Sequence, residues 1–121
     1  METTIENAKI SSSKLGYEDH GVFTAMIFIN GEGWGCGFGG YALDGWDEAE
    51  GRRIGTRFGI EFITEVLNTL GVGNWEDLPG THVRVETEGI GGGIRRIGHI
   101  IKDRWFDPKM LADAFCPEEK K

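Results

Sequence analysis

Between residues 33 and 40 the chain reads Gly-Trp-Gly-Cys-Gly-Phe-Gly-Gly, with a glycine at every second position. Successive side chains of a β-strand point to opposite faces of its sheet. A strand here has one face stripped bare at Gly33, Gly35, Gly37 and Gly39, and the other loaded with Trp34, Cys36 and Phe38. Glycine weakens a strand interior and marks places where another backbone or a ligand comes close. The bare strip predicts a flat partner, either a tightly packed helix or a bound ring.

Glycine supplies 20 of the 121 residues and proline only 3, without a collagen period. That balance suits a strand-rich fold with tight turns better than a flexible linker. The length fits one domain, with residues 1–7 and 117–121 expected to fray. Residues 8–15 alternate weakly and read as a polar edge strand. Residues 22–29 are apolar on both faces and read as a central strand. Asn30-Gly31 supplies a hairpin turn, and the glycine-alternating strand runs from about Trp34 to Leu43.

Residues 44–50 read as an acidic connector. From Arg52 to Leu70 the spacing is helical, with Ile54, Phe58, Phe62, Ile63, Val66, Leu67 and Leu70 on one stripe and Gly71 as the stop. Gly55 and Gly59 lie one turn apart in that stretch, each costing about 1 kcal/mol of helix propensity relative to alanine. A packing reason is therefore expected: a notch pressed onto a sheet surface, with the bare strip as its preferred partner. Asn74 heads a single turn at 75–78. Residues 81–87 and 94–102 form a second hairpin around the glycine turn at 89–93, and Asp107-Pro108 caps a last helix to Phe115. The order β-β-β-α-β-β-α predicts an α+β fold: a two-layer antiparallel sheet of about five strands, one long helix packed on it, and a short C-terminal helix.

A net charge of −7 argues against general nucleic-acid affinity, which needs Lys and Arg to neutralise phosphates. The longest apolar run falls far short of the roughly 20 residues that span a bilayer, so no membrane association is expected. Cys36 and Cys116 have no metal spacing, and no leader-like segment opens the chain. A cytoplasmic protein with reduced thiols and no cofactor is the expectation.

Neither glycine loop is a phosphate loop. Residues 31–35 lie within a hairpin, and residues 89–93 run into a strand with no Lys-Ser/Thr behind them. His20, His82 and His99 lack metal spacing, and no nucleophile sits in an elbow motif, so no catalytic constellation emerges. The arginines are more suggestive. Arg52, Arg53 and Arg57 fall on the first turns of the long helix, and Arg95-Arg96 opens the strand after the second glycine loop. Each offers a planar fork suited to phosphate or carboxylate, and a helix N-terminus favours anions. Trp34 and Trp105 can stack a nucleobase, and His99 lies close to the second cluster in sequence. These eight residues form the candidate ligand-binding set, with no catalytic or metal residue assigned. The competing reading pairs Arg57 with Glu61 at i,i+4 and the other arginines with acids at 47–50, and buries the aromatics.

Leu15-Gly16-Tyr17-Glu18-Asp19-His20-Gly21, Gly37-Phe38-Gly39-Gly40-Tyr41-Ala42-Leu43-Asp44, Ile97-Gly98-His99-Ile100 and Lys102-Asp103-Arg104-Trp105-Phe106-Asp107-Pro108 together resemble a family of small bacteriophage and prophage proteins, from about residue 8 to 115. The resemblance implies a non-catalytic phage accessory protein that counteracts bacterial immunity in the host cytoplasm. One form of it sequesters a cyclic nucleotide-type signal, as anti-Thoeris sponges do. Another is an acidic, anti-CRISPR-like inhibitor of a defence effector, using Asp44, Asp47, Glu48, Glu50, Glu76 and Asp77. A small nucleotide hydrolase using His20 or His99 is a further alternative. The weak first strand leaves an edge that can pair across a two-fold axis, so a homo-oligomer with its pocket at the subunit interface is expected.

Overall fold

Ile27 and Ile29, and likewise Val83 and Val85, lie two residues apart on their strands, which puts them with Ile97 on one buried face of a sheet. The computed structural model describes residues 3–18, 20–88 and 93–115. Its strands are β1 (Thr4–Tyr17), β2 (Phe23–Gly31), β3 (Trp34–Ala42), β4 (Asp44–Asp47), β5 (Arg52–Gly55), β6 (His82–Thr87), β7 (Ile94–His99) and β8 (Trp105–Phe106). The helices are α1 (Arg57–Leu70) and α2 (Pro108–Phe115), with a single 3-10 turn at Trp75–Asp77. Six strands form one antiparallel sheet in the order β3-β2-β1-β6-β7-β8, and β4 pairs with β5 alone. The fold is α+β with one long and one short helix, as the sequence predicts, but with more strands than five.

Helix α1 covers the apolar face. Phe58, Phe62, Val66 and Leu70 recur one turn apart and are buried in the core with Phe38 and Phe106. Burying a side chain of this size is worth about 2 kcal/mol. Thr56 caps the helix by accepting the Gly59 N–H at 3.0 Å, and Gly71 ends it in the left-handed region at φ 72°. The C-terminal helix begins as expected, with the Asp107 carboxylate accepting the Lys109 N–H at 3.0 Å.

Arg52 and Arg53 are not helical. A turn at Gly51, with φ 66°, returns the chain so that Arg52–Gly55 pairs with Asp44–Asp47, the stretch expected to be a connector. Ile54 merely falls at the right distance from Phe58 to extend the stripe. Only Gly59 therefore lies in the helix, and its notch does not meet the glycine strip. A Cβ there would overlap the carbonyl group of Leu43, where the chain leaves β3 for β4. The strip itself faces away from α1. Gly35, Gly37 and Gly39 pair with Asn30, Phe28 and Met26; side chains from β2 lie over Gly35 and Gly37, and the Ala25 carbonyl crowds Gly39. A Cβ on Gly37 would sit 3.2 Å from the Met26 sulfur, and one on Gly35 would sit 2.7 Å from Asn30 Oδ1. The close partner is the neighbouring strand itself, by its side chains at Gly35 and Gly37 and its backbone at Gly39.

The first strand lies between β2 and β6 in the sheet order, but only its first half meets β6, so the expected edge character survives in its second half alone. Residues 4–9 pair with β6 and residues 9–17 with β2, with a bulge between Ile10 and Ser12. Residues 4–7, expected to fray, are held in that pairing. The polar look of β1 reflects its outer face, which no helix covers; only Ala8 and Ile10 are buried core positions. The first hairpin turns at Glu32-Gly33, two residues later than Asn30-Gly31, and β7 stops at His99 so that Trp105–Phe106 can pair beside it. Asp19, residues 89–92, Cys116 and the tail at 117–121 lie outside the described residues.

Candidate functional site

Between β6 and β7 the register slips. Glu86 pairs with Arg96 but Thr87 pairs with Ile94, so Arg95 is an extra, bulged residue. Bulges re-aim side chains and end pairing. Strand β8 pairs only with Ile97 and Gly98, which leaves the first half of β7 as an edge beside α2. At this edge lies a cleft of about 540 Å³, lined by Arg95, Arg96, Glu86 and Trp105 from the sheet, Glu65 from α1, and Asp107, Met110 and Leu111 at α2.

The two arginines are held differently. Arg96 donates from Nε to Glu86, which also accepts a 2.6 Å hydrogen bond from Thr3. The Thr3 and Arg96 hydrogen bonds hold the Glu86 carboxyl below the ordinary range. Among the described residues Arg95 forms one ion pair, with Asp107 at 3.8 Å, its charge also acts on Glu86, and its side chain is 53% exposed. The Asp107 carboxylate is already committed to capping α2. A second cleft of about 290 Å³, reaching Phe38, Tyr41 and Lys109, is also lined by Arg95 and Asp107, so this loose ion pair partitions the two spaces. Burial, and then the charge of Asp107, raise the Tyr41 phenol above its ordinary pKa.

Trp105 lies against Gly98, where a Cβ would come within 2.7 Å of the ring. The guanidinium carbons of Arg84 and Arg96 sit 4.9 and 4.3 Å from its ring centroid. Arg84 also donates to the His99 and Lys102 carbonyls, both at 2.8 Å. The indole is thus stacked on arginines, and what it offers the cleft is its rim and its role in fixing Arg96.

The other candidates lie elsewhere. Arg52 pairs with Glu50 at 2.7 Å, and Arg53 pairs with Asp44 at 2.9 Å. Both line a separate cleft of about 330 Å³ with Tyr17, Phe23, Ile60 and Ile63. The Arg53 hydrogen bond holds the Asp44 carboxyl below its usual range, and burial works against it. Arg57 pairs with Glu61 at 3.5 Å, the i,i+4 contact of the competing reading, and lies 4.8 Å over the Phe115 ring. His99 accepts the Ile101 and Lys102 N–H groups at Nδ1. Desolvation, then Arg104, Lys102 and Arg84, lower its pKa, and it lines none of these clefts. The Trp34 indole donates to Glu6 at 3.0 Å and packs against the core.

Of the eight predicted ligand residues, Arg95, Arg96 and Trp105 share one cleft, Arg52 and Arg53 share another, and Arg57, His99 and Trp34 join neither. The first cleft adds Glu65, Glu86, Asp107, Met110 and Leu111, which sequence reasoning did not assign to a site. Only Asp107 carried a signal there, as the cap of α2. Among the described residues, no group of three His, Cys, Asp or Glu side chains gathers to hold a metal ion. The hairpin acids are engaged locally: Asp44 by Arg53, Glu50 by Arg52, and Asp47 by the Glu50 N–H at 3.1 Å. No family model matches the chain, and neither does any curated protein or solved structure.

Proposed function

We propose that this chain is a binding protein that sequesters a nucleotide-type anion in the Arg95 cleft, acting as a phage accessory protein against a host immune signal. One observation carries the ligand reading: Arg95, projected by a bulge at an open sheet edge, has half its side chain exposed and, among the described residues, one loose ion pair within 4 Å. A guanidinium in that state can take a phosphate in a forked, charge-assisted geometry at little cost in broken contacts. The volume lies within the range of small-molecule sites, which runs from about 300 to 1,000 Å³.

The carboxylates of the lining choose among anions. Glu65, Glu86 and Asp107 repel a bare polyanion, yet a carboxylate is the usual acceptor for ribose hydroxyls. Met110, Leu111 and the rim of Trp105 supply an apolar wall for a base. Phosphate, sugar diol and ring together describe a nucleotide better than an inorganic anion. The acidic-mimic reading loses ground, since most of its hairpin carboxylates already have partners.

Calorimetric titration with cyclic dinucleotides, cyclic ADP-ribose isomers and linear nucleotides tests the proposal. Saturable heat from at least one of them is expected, with the ligand recovered chemically unchanged. No heat from any member of the set, with the protein folded by circular dichroism, rejects the reading. Recovery of a cleaved ligand would replace it with the hydrolase alternative.

A further inference from the structure

Among the described residues, the second half of β1 has one unpaired edge. Residues 12–17 pair with β2 on one side, while β6 reaches no further along β1 than Lys9 on the other. The Glu18 N–H bonds to the Val22 carbonyl, so antiparallel alternation turns the N–H and C=O of Gly16 toward β2 and those of Leu15 and Tyr17 outward. Leu15 and Tyr17 point to the α1 side of the sheet, as Ala25 and Phe23 opposite them do, yet they are 40% and 69% exposed. Tyr17 shares its cleft with Ile60, which is itself 59% exposed on α1. An open edge bordered by apolar side chains is a template for another strand.

We propose that the occupant is a second copy of this chain, paired antiparallel with β1 about a two-fold axis at Gly16. The local sequence Lys14-Leu15-Gly16-Tyr17-Glu18 is self-complementary in that register. Leu15 falls opposite the copy's Tyr17, on the face toward α1, where the four side chains cover the Ile60 surface. Lys14 falls opposite the copy's Glu18 on the outer face, giving two symmetric charge pairs; both residues are exposed. The outward N–H and C=O groups of Leu15 and Tyr17 exchange hydrogen bonds with those of Tyr17 and Leu15 in the copy. Gly16 meets Gly16 in a non-hydrogen-bonded pair, the close one, and a Cβ at Gly16 has nothing within 4 Å inside its own chain. A lysine on an edge strand ordinarily blocks such pairing. In this register alone it faces a carboxylate. Sliding the axis to Leu15 or Tyr17 sets Lys14 or Glu18 against Gly16, and both charge pairs are lost.

The test is sedimentation of the full chain across a concentration series, with circular dichroism as the folding control. The expected result is a reversible monomer–dimer equilibrium. Lys14→Glu and Glu18→Lys should each raise the dissociation constant about ten-fold, and the double swap should restore it. In a Cys36→Ser, Cys116→Ser background, Gly16→Cys should cross-link under mild oxidation, since about 4.5 Å between Cα atoms in such a pair suits a disulfide. A monomer at every concentration overturns the proposal. So does a dimer that ignores both charge reversals, or one in which position 16 fails to cross-link.

Discussion

The β4–β5 hairpin and the bulged edge of β7 present the same chemistry, two consecutive arginines and an aspartate, and use it in opposite ways. At the hairpin, Asp44 is only 8% exposed, meets Arg53 at 2.9 Å and accepts the Phe23 N–H at 3.2 Å. At the edge, Asp107 is about as sheltered, but it spends one oxygen on capping α2 and stands 3.8 Å from Arg95. The first pair ties the hairpin to the end of β2. The second leaves a guanidinium half in solvent between two clefts. Arginine content does not distinguish a tied guanidinium from an available one here; the register of the strand and the prior commitments of the carboxylate do.

Five substitutions break or sharpen this contrast, the largest effect first. Gly59→Ala should destabilise the fold by roughly 3 kcal/mol, because its Cβ meets the Leu43 backbone, which cannot turn aside. Gly55→Ala on the same hairpin end, with nothing within 4 Å of its Cβ, should stay within about 0.5 kcal/mol. Chemical denaturation of both variants measures the difference. Next, Arg95→Ala should weaken nucleotide binding ten-fold or more in calorimetry while leaving the melting temperature almost unmoved. Arg53→Ala should do the reverse, lowering the melting temperature by about 5 °C and sparing the ligand. The smallest effect belongs to Arg52→Ala, whose exposed pair with Glu50 should contribute nothing measurable to either quantity.

Acid titration reaches a carboxylate at each of the two ends. Asp44 and Glu86 are held below their ordinary values of 3.8 and 4.5, so the folded state binds fewer protons than the unfolded chain as the pH falls through that region. The stability they provide is complete above the unfolded values and drains away on acidification through the depressed folded ones. His99 acts at a higher pH. Its lowered pKa makes the unfolded chain the better proton acceptor just below pH 6.5, so stability also declines there. Melting curves from pH 7.5 to pH 3 should show both phases, and Arg53→Ala should shrink the acidic one.

Elements with their own caps and stripes were legible in the sequence. Phe58, Phe62, Val66 and Leu70 with Gly71 defined α1 from its middle to its end, and Asp107-Pro108 defined the start of α2. The errors came where tertiary contacts override local pattern. Ile54 lies on the helical stripe but belongs to a hairpin whose partner, residues 44–47, reads as acidic loop. The polar β1 is central because β6, more than seventy positions along the chain, pairs with its first half. The glycine strip did demand a close partner, but alternation alone cannot say whether that partner comes from across the sheet or along it. At the site, Arg95, Arg96 and Trp105 were readable as a cluster of residue types. The bulge that separates the roles of the two arginines was not, nor were the contributions of Glu65 and Met110, which depend on how the helices dock.

The most direct measurement is amide and side-chain NMR mapping with the nucleotide that gives the strongest calorimetric signal. Perturbations should concentrate on the Arg95 and Arg96 side-chain N–H groups, the Trp105 indole and the backbone of residues 107–111, with the Arg52–Arg53 hairpin silent. Shifts centred on Arg52 and Arg53, with Arg95 unmoved, would contradict the assignment of the binding role to the bulged edge.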